Sequence, residues 1–255
     1  MNGSDVNLIN LIFIAIPNLG LASEHGFFYK YPKNMRKNEN NEESEWKELF
    51  HIKDWSWKDS VLNMLQGFTE KTEGSYITKK EAMVSWYYKD CDIYFGHVQA
   101  NEINTHLQNI YENCKIDIVN GKGYVEIKPK NVNKGYFISH IIKQQFVEKF
   151  DPDFILAVGD DISDEEMFKY LNSVHNQLSF FKENIKTFSC TICRKPSSAK
   201  YYLNEINEVY EYLESLNQTH HSLKKESNKK SLAKLHKSKQ SLNLIEMTNM
   251  NNFNI

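Results

Sequence analysis

The chain has 255 residues, a formal net charge of −2, and is 40% hydrophobic and 13% aromatic. That is enough apolar material for one large core or two small ones, and the near-neutral balance excludes a general nucleic-acid binder, which needs a basic surface. Four cysteines, Cys91, Cys114, Cys190 and Cys193, are too sparse for a disulfide framework, which points to a reducing compartment, the cytoplasm.

Residues 8–16, LINLIFIAI, imitate a signal-peptide core, with LAS as a small-residue cleavage site. No basic residue precedes the run, and Asp5 stands there instead. The run is also too short to span a bilayer, so it predicts a buried core element and no membrane association. Residues 33–45, KNMRKNENNEESE, predict a flexible loop insertion. Residues 58–128 alternate helix-like and strand-like segments, WKDSVLNMLQGF, SYITKKEAMVSWYYK, VQANEINTHLQNIYENC and KIDIVNGKGYVEIKP, the pattern of a small α/β module. A helix is expected over 136–150. Residues 154–158, FILAV, read as a strand buried on both faces and ended by Gly159.

The next stretch, DDISDEE, puts five carboxylates into seven positions. Ser163 and Glu166 fit a capping box, and acids in a first helical turn suit the helix dipole, which accounts for Asp164, Glu165 and Glu166. Asp160 and Asp161 precede that cap. At the carboxyl end of a buried parallel strand they lie where open α/β sheets bind ligands. Paired carboxylates there suit a hard cation such as magnesium shared with a phosphate; the other reading is a polar loop. Cys190-Thr191-Ile192-Cys193 lies in a strand-like run, where positions three apart face opposite ways and make a poor metal pincer. A strand near 187–193 and a helix near 204–216 follow. Between 218 and 255 seven lysines face two glutamates, predicting a basic, disordered tail.

VGDDISDEEMF resembles the fourth motif of haloacid-dehalogenase-type phosphatases, and VEIKPKNVNKG (125–135) their third. LASEHGFFYK, GFTEKTEGSYITKKEAMVSWYY and CRKPSSAKYYL are similar to segments of one branch, the trehalose-6-phosphate phosphatases, over about residues 1–216. The resemblance implies an α/β fold: a Rossmann-like core, 1–57 plus 129–217, interrupted by an α/β cap, 58–128, with 218–255 as the tail. It implies magnesium-dependent hydrolysis of trehalose-6-phosphate or a similar sugar phosphate through an aspartyl-phosphate. Asp160 and Asp164 would hold the metal, Lys134 and Asp161 would serve the chemistry, and Lys80, Lys89, Lys122 and Glu126 would contact the sugar. Thr78 stands where the family has a carboxylate, and Trp86-Tyr87-Tyr88-Lys89 where it has Trp-His-Tyr-Arg; lysine does not reproduce arginine's planar fork.

The family's first motif, Asp-x-Asp-Gly-Thr, supplies the nucleophile. Asp90-Cys91-Asp92 falls inside the cap and Asp151-Pro152-Asp153 precedes its strand, so neither qualifies. Three readings follow: a phosphatase domain whose first strand lies upstream of Met1, behind a synthase domain; a non-catalytic sugar-phosphate-binding pseudophosphatase; or a phosphatase for another sugar phosphate.

Overall fold

The computed structural model describes residues 6–13, 15–16, 18–33, 46–146, 154–177, 185–226 and 245–246. The expected insertion lies almost wholly outside them, as do residues 147–150 of the expected helix and most of the tail. The chain divides into two compact units, Met1–Phe137 and Ile138–Ile255.

The first unit opens with helix α1 (Val6–Phe13). Strands β1 (Leu21–Ser23), β2 (Phe28–Lys30) and β3 (Lys47–Glu48) form a small antiparallel sheet. Helix α2 (Ser56–Thr69), strands β4 (Tyr76–Lys79) and β5 (Val84–Tyr87), helix α3 (Ile93–Tyr111), and strands β6 (Ile116–Gly121) and β7 (Tyr124–Pro129) follow, then helix α4 from Lys134 to Phe146. The four strands β4 to β7 make one antiparallel sheet in the order β4-β5-β7-β6. Side chains alternate between the faces of a strand. One face therefore carries Val84, Trp86, Val125 and Ile127, which pack with Val61 and Leu65 of α2 and Ala100, Ile103 and Leu107 of α3. Trp86 keeps its indole N–H satisfied on Thr69 Oγ1 at 3.0 Å. Asp92, half of the rejected Asp-x-Asp pair, caps α3 by accepting from the Phe95 N–H at 2.8 Å.

In the second unit β8 (Phe154–Gly159), β9 (Lys186–Ile192) and β10 (Tyr201–Leu203) run parallel, with β9 in the middle. Helix α5 (Glu165–Gln177) covers them through Met167, Phe168 and Leu171, packed with Ile142 and Ala157. Helix α6 runs from Ile206 to Glu226, ten residues beyond its expected end at 216, and β11 (Ile245–Glu246) pairs antiparallel with β10.

Two expectations are corrected. The apolar run at 8–16 is not a buried element: α1 buries Ile9, but Leu11 and Ile12 are exposed at 74% and 58%, and Phe13 and Ile16 are exposed too. An eight-residue helix turns only one stripe inward, and Leu11 and Ile12 lie off the stripe that buries Ile9. Nor is β8 buried on both faces. It is an edge strand among the described residues, and only Ala157, on the face that packs with Met167, Phe168 and Leu171 of α5, is buried.

Leu65 is fully buried at the centre of the helix-on-sheet layer. Leu65→Ala should cost about 2–5 kcal/mol in urea unfolding, the range for a cavity in a packed core. A loss below about 1 kcal/mol would show that this layer is loosely packed.

Candidate functional site

The acidic stretch leaves the carboxyl end of β8. Its cap differs from the expected one. A short 3-10 turn, Ile162–Asp164, precedes α5, and its capping box joins Asp161 and Asp164, two residues upstream of the Ser163 and Glu166 pair. Asp161 Oδ1 accepts from the Ile162 N–H at 2.7 Å. Asp164, buried, turns Oδ2 back to the N–H groups of Asp160 and Asp161 at 3.2 and 3.0 Å. A Cβ on Gly159 would lie 2.3 Å from Asp164 Cγ, so glycine alone admits this carboxylate. Asp161 and Asp164 thus both have structural work, whereas the exposed Asp160 carboxylate makes no side-chain hydrogen bond among the described residues.

The segment 193–200 folds over this turn. The Lys195 ammonium donates to the Asp160 carbonyl. Glu165 accepts from Ser197 Oγ at 2.7 Å and from the Ser198 N–H at 2.6 Å. Sequence reasoning named neither Lys195 nor Ser197, although both lie in the quoted segment CRKPSSAKYYL. Of the Cys190 and Cys193 pair, burial pushes the Cys190 thiol up to about 12, while Cys193 is exposed beyond the strand end at φ 65°. A thiol held protonated makes a poor metal ligand. No group of three or more His, Cys, Asp or Glu with metal-holding geometry occurs among the described residues. Asp160 still suits magnesium, which is commonly held through one or two carboxylates together with phosphate oxygens.

In the first unit the sheet face away from α2 and α3 carries polar and aromatic rows. Thr78, Ser85 and Glu126 stand directly opposite one another across β4, β5 and β7. The row beside them is Tyr76, Tyr87 and Tyr124. Tyr76 and Tyr87 stack at 4.9 Å, and Tyr87 meets Tyr124 at 5.6 Å. Tyr124 lies across Gly121, where a Cβ would come within 1.9 Å of the ring. Lys89 packs its stem against Gly123, and Lys122 lies in the same β6–β7 turn.

Glu126 is buried, with Oε1 3.0 Å from His25 Nε2 and 3.5 Å from Lys128 Nζ. Burial pushes its carboxyl up, but the His25 hydrogen bond and the charges of His25, Lys128 and Lys80 outweigh it and hold the group below the usual carboxylate value. His25, Lys128 and Glu24 escaped the sequence reading; the quoted LASEHGFFYK was the only signal for the first and last. Lys134 is buried at the first position of α4. Thus Lys80 and Glu126 belong to one charge cluster, Lys89 and Lys122 to the β6–β7 turn, and Asp160, Asp161 and Asp164 to the second unit.

The trehalose-phosphatase family model matches residues 2–207. A probable alpha,alpha-trehalose-phosphate synthase (UDP-forming, number 10) of Arabidopsis thaliana is 36% identical over 204 residues, 79% of this chain and 22% of the relative. The trehalose-phosphatase of Zygosaccharomyces rouxii is 30% identical over 78% of this chain and 24% of its own length. The chain therefore spans about a quarter of these relatives. The C-terminal domain of trehalose-6-phosphate phosphatase from C. albicans superposes with a TM-score of 0.68 at 28% identity, over 82% of this chain and 73% of that one. The α/β architecture, the matched motifs and these likenesses agree: the chain belongs to the trehalose-phosphatase family, of the haloacid-dehalogenase type.

Proposed function

We propose that the chain is the larger part of a trehalose-6-phosphate phosphatase domain in a cytoplasmic protein, with a synthase domain upstream. In this reading 58–128 is the sugar-reading cap, 1–57 plus 129–217 the phosphatase core and 218–255 a basic tail. One observation carries it: an ionised carboxylate, Glu126, buried in one cross-strand row with the hydroxyls of Ser85, its direct neighbour, and Thr78 beyond it, both without hydrogen-bond partners. A buried charge beside unsatisfied hydroxyls costs stability in the free protein, and a polyhydroxylated ligand relieves that cost. Lys80, Lys89 and Lys122 add donors for sugar hydroxyls.

Asp160 would hold Mg²⁺ at the phosphate, with Asp164 fixing the turn and Asp161 its cap. Bound there, the ion would neutralise and orient the phosphoryl oxygens. Lys134 would place a cation against the transferring phosphate, the kind of fixed charge that stabilises a transition state. Asp-x-Asp-Gly-Thr is absent from the 255 residues, so the group that attacks phosphorus must come from elsewhere. The binding row of Ser85 and Glu126 fits a second reading as well, a sugar-phosphate-binding pseudophosphatase.

Calorimetric titration with trehalose-6-phosphate tests the shared core of both readings: binding is expected, and Glu126→Ala should weaken it at least tenfold. Equal binding by this variant would remove Glu126 from the site. Residues 1–255 alone should release no phosphate, since loss of a nucleophile costs on the order of 10⁶ in turnover; robust release would require a nucleophile within this sequence. In a longer protein carrying Asp-x-Asp-Gly-Thr upstream, Lys134→Ala should lower kcat far more than it raises KM, and Asp160→Asn should raise the magnesium concentration for half-activity. Failure to turn over even with that motif supplied would favour the pseudophosphatase.

A further inference from the structure

His25 sits in a turn where Glu24, His25 and Gly26 take successive positive φ values of 48°, 58° and 94°. This backbone disfavours residues with a Cβ, so it persists only where the surroundings over-determine it. Here they do. Glu24 is fully buried, and its carboxylate accepts from the Ala82 N–H at 2.8 Å and the Glu81 N–H at 3.2 Å. A Cβ on Gly26 would lie 2.3 Å from Phe137 Cγ.

The product of this turn is the aim of one imidazole. His25 is 6% exposed, and its Nε2 faces both oxygens of Glu126, at 3.0 and 3.3 Å. Its other nitrogen, Nδ1, is buried without a hydrogen-bond partner. Ser85 Oγ and Thr78 Oγ1, in the cross-strand row of Glu126, are buried and unpartnered as well. Buried polar atoms in folded proteins are nearly always satisfied. Three exceptions around one carboxylate mark a place built for a ligand rich in hydroxyl groups. The charged groups facing Glu126 are His25, Lys128 of its own strand and Lys80 beyond β4.

We propose that His25 is a positioning residue for sugar recognition: through Nε2 it orients the Glu126 carboxylate and keeps it charged, and it turns Nδ1 toward the ligand's hydroxyls. This rests on the sugar-reading function proposed above. A carboxylate fixed by a neighbour is ready to accept from a sugar hydroxyl without first being ordered, so the positioning shows in affinity.

Two readouts test it on residues 1–255. The first needs no sugar. The Glu126 side-chain carboxyl is followed by ¹³C NMR across pH in the wild type and in His25→Asn, which tolerates the left-handed backbone but is too short to place a donor where Nε2 lies. Loss of the His25 contact should move the Glu126 titration upward by about one pH unit, a tenfold change. The second is calorimetry with trehalose. His25→Asn should bind about tenfold more weakly than the wild type, and His25→Gln, long enough to donate to Glu126, should recover part of the loss. Circular dichroism must show both variants folded; should asparagine unfold the chain, glutamine alone must still lower affinity, because it has no second nitrogen to place where Nδ1 lies. An unchanged Glu126 titration overturns the role of His25 whatever the sugar does. A shifted titration in a chain that takes up no trehalose overturns the sugar reading and leaves His25 only as the partner of Glu126. Unchanged affinity in His25→Asn, with the wild type binding, overturns the proposal.

Discussion

The buried carboxylate of Glu24 holds the first unit's charge cluster in place. It accepts from two consecutive backbone N–H groups, of Glu81 and Ala82, in the connection between β4 and β5. Lys58 of α2 takes the other side of that connection, donating to the carbonyls of Lys80 and Glu81 at 2.8 and 2.7 Å. One short peptide is thus gripped by opposite charges from distant parts of the chain. Each left-handed non-glycine residue at 24 and 25 costs about 1–3 kcal/mol. Hydrogen bonds to a charged group contribute about 1.5–3 kcal/mol each, enough to offset that strain. Burial pushes the Glu24 carboxyl up, and the backbone N–H groups of Ala82 and Glu81 pull it part of the way back.

What hangs on that grip is a two-faced sheet. The strands β4, β5, β7 and β6 alternate strictly, so every apolar side chain turned to α2 and α3 forces its neighbours to the other face. The helix-facing side is a conventional core. The far side gathers Thr78, Ser85 and Glu126 in one row and three tyrosines in the next. Tyr87 stacks on Tyr76, an apolar contact that presents no charge on this face. The aromatic row fixes side-chain positions beside Glu126 without adding charge to a face that already carries several.

The acid-rich stretch after β8 solves a different problem. Five carboxylates in seven residues repel one another. The structure relieves this by giving most of them donors: Asp161 and Asp164 take backbone N–H groups of the turn, Glu165 takes Ser197 and Ser198, and Glu166 pairs with Lys169 at 2.7 Å. Asp160 is left over. The turn that binds its neighbours projects it into solvent with Lys195 bonded to its own carbonyl. That selectivity separates structural aspartates from the candidate ligand, and no count of acidic residues could have made the distinction.

The sequence by itself determined the α/β class, the strand and helix succession over 56–129, the parallel strand ending at Gly159 and the family motifs around Lys134 and Asp160, because these rest on local periodicity and on short contiguous patterns. It misplaced the cap of α5, since Asp161 and Ser163 are both good capping residues and only the packing of Asp164 against Gly159 selects the first. It expected a buried run at 8–16 and a fully buried β8, because apolar composition reports the capacity for burial and not whether a partner is there. It passed over Glu24 and His25, whose meaning depends on Ala82 and Glu126, 58 and 101 residues away. Contacts of that separation are set by how the chain returns on itself, so tertiary structure alone decided which carboxylate grips the β4–β5 connection, which is buried against His25 and which is left exposed after β8.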